Sequence, residues 1–385
     1  MNRQGKKTIF NCQDFWLIFI ILVILLNAIL VFNSFIHYKY FALNSGFGKK
    51  LHHQQPFYAR GIYLSSWTVA SPDKLESLLG LARQNQINTL VIDLKDSRGL
   101  VAYDSQVPLV NQLQTKEARI NNLKQILSSL NSRGFYLIAR LSIFQDTELA
   151  EKNPAWALRN KKTGKIWRDN KGLAWVDPAA VGVWDYNLAI AKEVFVLGFN
   201  EINFDYVRFP SDGDISQIAY PVWDSKMPKA EVIRQFFAYQ KQVLEKYGPR
   251  SIDLFGLTLW HADDQKDMNI GQLLVNALPY FDYICPMVYP SHYPSDFEGF
   301  ANPAQYPYEI IYRSLNKAQP ILTQQNAQKG ANRVYLRPWL QAFDLGATYD
   351  LPMIEKEIQA ASDGGGFGWL LWNAGNDYSS FNGYK

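Results

Sequence analysis

Residues 183–210 read VWDYNLAIAKEVFVLGFNEINFDYVRFP, and the change of rhythm inside this stretch decides the fold. Its first part carries apolar residues at i, i+3 and i+4 spacing and closes on Gly198, the pattern of an amphipathic helix with a glycine stop. After Gly198 the period drops to two. Ile202 and Phe204 alternate with Asn203 and Asp205, as in a strand with two distinct faces. The strand then breaks into Tyr206, Arg208 and Pro210. A helix followed at once by such a strand is part of a βαβ repeat.

The same unit recurs along the chain. Strand-type runs are GIYLSSW (61–67), NTLVIDLKD (88–96), FYLIARLSIF (135–144) and EINFDYVRF (201–209), then IDLFGLTLW (252–260), DYICPMVY (282–289), RVYLRPWLQAF (333–343) and GFGWLLWN (366–373). Helix-type stretches lie between them, such as SPDKLESLLGLARQNQ with Ser71 as N-cap and Pro72 at the first helical position. Others are INNLKQILSSLNSRG, KAEVIRQFFAYQKQVLEKYG and LPMIEKEIQAASDGG, with IGQLLVNAL and PYEIIYRSLNKA shorter. Eight strands alternating with helices predict a (β/α)8 TIM barrel over residues 59–385. A doubly wound open sheet would normally have fewer strands and a glycine-rich first turn. Neither G-x-G-x-x-G nor G-x-x-x-x-G-K-[ST] occurs, so no nucleotide cofactor is expected.

The N-terminus reads differently. Phe15 to Phe32 is an 18-residue apolar run broken only by Asn27, long enough to cross a hydrocarbon core of roughly 30 Å. Arg3, Lys6 and Lys7 precede it, so the positive-inside rule puts residues 1–14 in the cytoplasm and the barrel outside. The run exceeds the usual apolar core of a signal peptide and no A-x-A site follows, which favours an uncleaved transmembrane anchor over 15–36. Residues 37–58 are polar and aperiodic, a linker spanning about 25–30 Å if flexible. Cys12 and Cys285 fall on opposite sides of this anchor, so no disulfide is expected. The chain's 48% hydrophobic and 19% charged residues are ordinary for a globular protein. A net charge of +4 without a basic stripe excludes nucleic acid as an expected partner. Aromatics are abundant at 15%, a surplus that suits sugar binding and large cores alike.

Barrel active sites form where strands end. Alternation turns Asn203 and Asp205 inward on the fourth strand, with Arg208 beyond, and Asp93 and Lys95 inward on the second, with Asp96 after them. Arg140 ends the third. The fifth is read as ending in Trp260, His261, Asp263 and Asp264, and the sixth in Tyr289 with His292 behind it. Arg337, Trp339 and Gln341 share a side on the seventh, followed by Asp344, and Trp372 and Asn373 close the eighth. The long third connection, 153–187, holds Trp156, Trp167 and Trp175 as possible sugar platforms, and Asp177 opens the next helix. Asp205 is the first candidate for a catalytic carboxylate, as nucleophile or electrostatic stabiliser. Glycosidic cleavage needs a second acid, expected in Asp263 or Asp264, then among Asp93, Asp96 and Asp344. Arg140, Arg208, Trp339 and Trp372 are expected to line the sugar subsites.

The segments GIYLSSWT, VIDLKDSRGLVAY, ARLSIFQD, WALRN, KGLAWVDP, EINFDYVRFPSDG, RPWLQAF and GWLLWN resemble a bacterial family of glycoside-hydrolase-like barrels, commonly membrane-anchored or secreted. The resemblance runs from about Arg60 to Tyr378. It implies a barrel distantly similar to α-amylase-type enzymes, in which the acid ending the fourth strand, here Asp205, is the nucleophile. It also implies a sugar-holding acid on the seventh strand. Asp344 could serve there, but where the family usually reads R-P-W-L-Q-D-F this chain departs from the pattern, with Ala342 in the acid position. The fifth-strand Glu of amylase-like enzymes is absent, with His261–Asp264 in its place. The expectation is a membrane-anchored extracytoplasmic glycoside hydrolase acting on an envelope or environmental polysaccharide, with neither cofactor nor metal. Two other readings stay open: a non-catalytic glycan-binding barrel, and a metal-dependent hydrolase or deacetylase drawing on His261, Asp263, Asp264 and His292.

Overall fold

Two-residue alternation sorts each strand's side chains onto two faces, and a closed ring of strands can bury both. The computed structural model describes residues 56–262, 266–328, 330 and 333–384. Among them, eight parallel strand positions close into a barrel: β1 (Ala59–Leu64), β2 (Thr89–Lys95), β3 (Tyr136–Ser142), β4 (Glu201–Asp205), β5 (Arg250–Phe255), β6 (Tyr283–Met287), β7 in two segments (Tyr335–Leu336 and Trp339–Gln341) and β8 (Gly368–Trp372). Neighbours in sequence pair in space, and β8 returns to β1, which removes any open edge.

Helices α1 (Pro72–Gln84), α2 (Leu123–Ser132), α3 (Val181–Leu197), α4 (Lys229–Leu244), α5 (Leu274–Ala277), α6 (Pro307–Ala327) and α7 (Leu351–Asp363) follow the first seven strands. Pro72 opens α1 after Ser71 at the N-cap, although the Ser71 side chain makes no capping bond. Gly198, at φ 117°, ends α3 in a conformation that favours glycine. After β8 comes a single 3-10 turn, Ser379–Phe381, and no eighth helix among the described residues. None of the described helices is long and apolar enough to cross a membrane. The expected anchor at 15–36, the segment 1–14 and the linker as far as residue 55 lie outside the described residues.

The outward faces, Ile92 and Leu94 on β2, Ile202 and Phe204 on β4, Ile252 and Leu254 on β5, are fully buried against the helices. A second cluster fills the barrel itself, with Val91, Ile138, Cys285, Trp339 and Leu370. Cys285 is a buried free thiol whose pKa burial pushes up.

The barrel floor is sealed by an ion pair. Glu201 at the start of β4 meets Arg337 Nη1 at 2.9 Å, with both side chains at 0% exposure. Tyr136 donates to Glu201 at 3.1 Å, the Arg337 guanidinium lies 3.5 Å from the Tyr283 ring centre, and Phe57 stacks on Tyr136. Arg337 therefore does not join the mouth. It shares a side with Trp339, but one layer deeper, because the run 333–343 enters the barrel at its base and Pro338 interrupts the strand between the two. Replacing Arg337 with Met strands a buried carboxylate, so Arg337→Met is expected to lose about 3–5 kcal/mol of stability. The double variant Glu201→Gln/Arg337→Met should lose clearly less. Urea unfolding of the full chain checks both.

Candidate active site

At the opposite end, an inward residue near the end of β3 organises the mouth. Arg140 is buried and bridges two carboxylates: Nη1 reaches Asp93 Oδ1 of β2 at 2.8 Å and Nη2 contacts Asp205 Oδ2 of β4. Tyr63 of β1 donates its hydroxyl to Asp93 Oδ2 at 3.0 Å. Asp205 Oδ1 accepts the Tyr206 backbone N–H at 2.6 Å. Tyr206 sits at φ 53°, a left-handed conformation uncommon for a non-glycine residue, which turns that N–H back onto the strand's final carboxylate. Burial pushes the Asp93 carboxyl up, against the pull of Arg140.

A third acid faces this pair. Asp253 of β5 is buried, and its Oδ1 accepts Asn203 Nδ2 at 2.7 Å and Trp339 Nε1 at 2.8 Å. Burial first, and the negative Asp205 second, hold its pKa well above the usual carboxylate range. Its surroundings thus favour the protonated form, and with Oδ1 taken by two N–H donors, Oδ2 is the carboxyl oxygen left free.

These groups line a pocket of about 400 Å³. Asp205, Arg140 and Asp253 form its base. Trp339 and Trp372 form one wall, their rings perpendicular at 5.6 Å, and Tyr63 packs on Trp372 at 4.1 Å. Tyr289, His292, Lys171 and Arg208 complete the lining. The His292 pKa is lowered, chiefly by partial desolvation and then by Lys171, so its ring is neutral at pH 7.

Of the residues singled out from the sequence, Asp205, Arg140, Arg208, Tyr289, His292, Trp339 and Trp372 come together here. Asn203 and Asp93 sit just beneath, bonded to Asp253 and Arg140. The others go elsewhere. Between Asp93 and Lys95 the β2–β3 register shifts, so two residues of β2 span one step of β3. That bulge turns Lys95 out of the barrel, where it pairs with Asp146 at 2.6 Å in full burial. Gly99 allows this, since a Cβ there would overlap Asp146. Asp96 pairs with Arg119 and accepts the N–H groups of Arg98 and Leu100.

Asp177 accepts from Ala179, Val222 and Trp223 N–H groups and ties two loops together. Gln341 accepts from Ser291, Asp344 accepts Tyr349 N–H on the surface, and Asn373 donates to Ala342 and Asp377 carbonyls. Trp175 and Trp167 are buried, their indole N–H groups on Asp169 and the Asp214 carbonyl, so they pack the long loop instead of presenting sugar platforms. Trp156 packs over Gly182 at the start of α3.

The fifth strand departs most from expectation. It ends at Phe255, and 256–259 is a 3-10 turn, so Trp260 and His261 lie beyond it, with Trp260 bonded to Ser314 of α6. Asp263 and Asp264 lie outside the described residues. The acid that β5 contributes is Asp253, legible from the alternation Ile252–Asp253–Leu254 had the strand end been drawn at Phe255. Tyr63, Tyr206 and Lys171 are also mouth residues that the sequence reading passes over. Among the described residues, no three His, Cys, Asp or Glu side chains are placed to hold a metal ion.

A (β/α)8 barrel with inward acids at the ends of neighbouring strands is an architecture that hydrolytic enzymes use. The chain belongs to the family described as "Putative glycosyl hydrolase domain", whose model matches residues 61–378, as the resemblance implies. Its barrel is similar to the glycoside hydrolase domain of PgaB (BpsB) from Bordetella bronchiseptica, at 14% identity and a TM-score of 0.58, covering 82% of this chain and 94% of that one. It is also similar to the α-galactosidase TtGalA from Thermus thermophilus, at 13% identity and a TM-score of 0.50, covering 86% of this chain and 60% of the enzyme. At these identities the likeness concerns the fold. A hypothetical protein from Ruminiclostridium thermocellum is 34% identical over 50% of this chain and 96% of its own, with a TM-score of 0.46. No curated protein matches.

The raised Asp253 pKa has a consequence for stability. The native state holds that proton above the unfolded carboxyl value of about 3.9, so it binds more protons than the unfolded chain there. Stability contributed by Asp253 is therefore lost as pH rises from about 4 towards its folded pKa. Asp253→Asn removes this dependence. Its melting temperature should gain on the parent chain by on the order of 2 °C or more between pH 4 and pH 8, read from melts across a pH series.

Proposed function

We propose that residues 59–385 form an extracytoplasmic glycoside hydrolase, tethered to the membrane by the apolar run at 15–36 through a linker, that cleaves a polysaccharide of the envelope or its surroundings. One observation carries this reading: Asp253, whose burial raises its pKa, and Asp205, bound by Arg140, line the same aromatic-walled pocket. Glycosidic cleavage needs this division of labour between two carboxyl groups.

In this mechanism a sugar packs against Trp372 with its scissile oxygen towards Asp253. Asp253 gives its proton to the leaving oxygen as the bond to the anomeric carbon lengthens. Asp205 attacks or stabilises the cationic sugar from its own strand end, held in place by Arg140 and the Tyr206 N–H. Asp93 and Tyr63 keep Arg140 aimed. Asn203 and Trp339 fix Asp253 so that its proton points into the pocket. Trp339 thus acts through Asp253 as well as through its ring.

The full-length chain should hydrolyse at least one member of a panel of bacterial and environmental glycans. Asp253→Asn is expected to slow the reaction about 10²–10⁴-fold for a substrate with a poor leaving group. Activity of the parent should fall as pH rises through the Asp253 pKa, since the acid must be protonated, and the variant should lack that limb. Asp205→Asn should abolish turnover. Hydrolysis by Asp205→Asn at the parent rate would remove Asp205 from the mechanism, and glycan binding without turnover by the parent would make the barrel a binder.

A further inference from the structure

The two arginines at the pocket are partnered differently. Arg140 is matched by Asp93 and Asp205. Arg208 differs. It is only 7% exposed, its Nη1 donates to the Phe209 carbonyl and to Ser211 Oγ, and among the described residues it forms no ion pair. Its Nε and Nη2 have no hydrogen-bond partner there, yet the side chain lines the pocket. A buried guanidinium stays protonated and is costly without a counter-charge.

The surroundings are built to hold Arg208 as a cation, not to neutralise it. The rings of Phe255, Trp175 and Tyr206 lie 4.7, 4.9 and 5.3 Å from its guanidinium carbon. Trp175 is itself locked by Asp169 at 3.0 Å. The same Asp169 accepts the backbone N–H of Lys171 at 2.9 Å, fixing the loop that brings the exposed Lys171 to the pocket beside Arg208. Asp205, Asp212 and Asp169 all act on the Arg208 charge, although burial lowers its pKa overall, and none of them forms an ion pair with it among the described residues.

Given the hydrolase reading of this pocket, on which the step rests, we infer that the glycan it takes is acidic: a sugar bearing a carboxylate, as a hexuronic acid or a carboxyalkyl ether does, with Arg208 as its receptor and Lys171 as a second, outer contact. A guanidinium stacked among rings offers its N–H groups in its own plane, where a planar carboxylate meets them edge to edge.

The test compares three tetrasaccharides of one length: chitotetraose (neutral), a hyaluronan tetrasaccharide (hexuronate) and a tetrasaccharide of alternating N-acetylglucosamine and N-acetylmuramic acid (carboxyalkyl ether). Binding to the full chain carrying Asp253→Asn is measured by calorimetry, since that substitution slows turnover about 10²–10⁴-fold and introduces no charge. At least one charged ligand should bind about 10–100-fold tighter than chitotetraose. Added salt should erode the outer, Lys171 part of that advantage. Adding Arg208→Gln should remove most of that preference, leaving about the share that belongs to Lys171. Lys171→Ala, an exposed substitution that spares the core, should weaken only the charged ligands, about threefold. Equal binding of all three ligands, no binding of either charged one, or a charge preference that survives both substitutions would overturn the inference. The hydrolase reading fails separately: carboxylate-dependent binding with no cleavage by the unsubstituted chain ends that reading and keeps this one. Cleavage of chitotetraose as fast as of the charged ligands does the reverse.

Discussion

The centre of this molecule is one guanidinium shared between two carboxylates. Arg140 on β3 reaches sideways to Asp93 on β2 and Asp205 on β4, so a single side chain spans three strands at the barrel mouth. Buried ions are costly to desolvate, and the cost is recovered only where charges meet with good geometry. Arg140 meets that condition for two acids, not three. The third, Asp253, is buried near the negative Asp205 without a cation of its own, and its pKa is pushed up. The chemical difference between the carboxyls thus follows from how one arginine distributes its contacts.

The floor repeats the device with different effect. Glu201 and Arg337 occupy the inward positions at the base, where no solvent reaches, and Tyr136, Tyr283 and Phe57 close over them. The same pairing of residue types near the mouth leaves an opening of about 400 Å³ and two aromatic walls. What separates structural charge from candidate chemistry here is depth along the strand and access to a void, not residue type.

That difference also marks how far the sequence could be read. Strand number and the inward side of β4 follow from alternation alone, because Ile202 and Phe204 leave no doubt about which face meets the helices. Depth is harder. Arg337 and Trp339 share a parity but lie in different layers, and a one-dimensional pattern carries no height. Lys95 was misdirected by a bulge, since one extra residue on β2 flips every side chain after it. Asp253 was passed over because the apolar run continues through Phe255 into a 3-10 turn, and turn and strand look alike when both are hydrophobic. Tryptophans in the long loop read equally well as sugar platforms or as packing, and burial decided for packing.

The sealed floor also governs traffic. With Phe57, Tyr283 and the ion pair stoppering one end, the barrel is a blind cup, and nothing passes through it. In the hydrolysis proposed above, the incoming glycan, the water and the departing fragment would all share that one aperture, so the shape of the vessel would bear on the order of departures as much as the chemistry at its base.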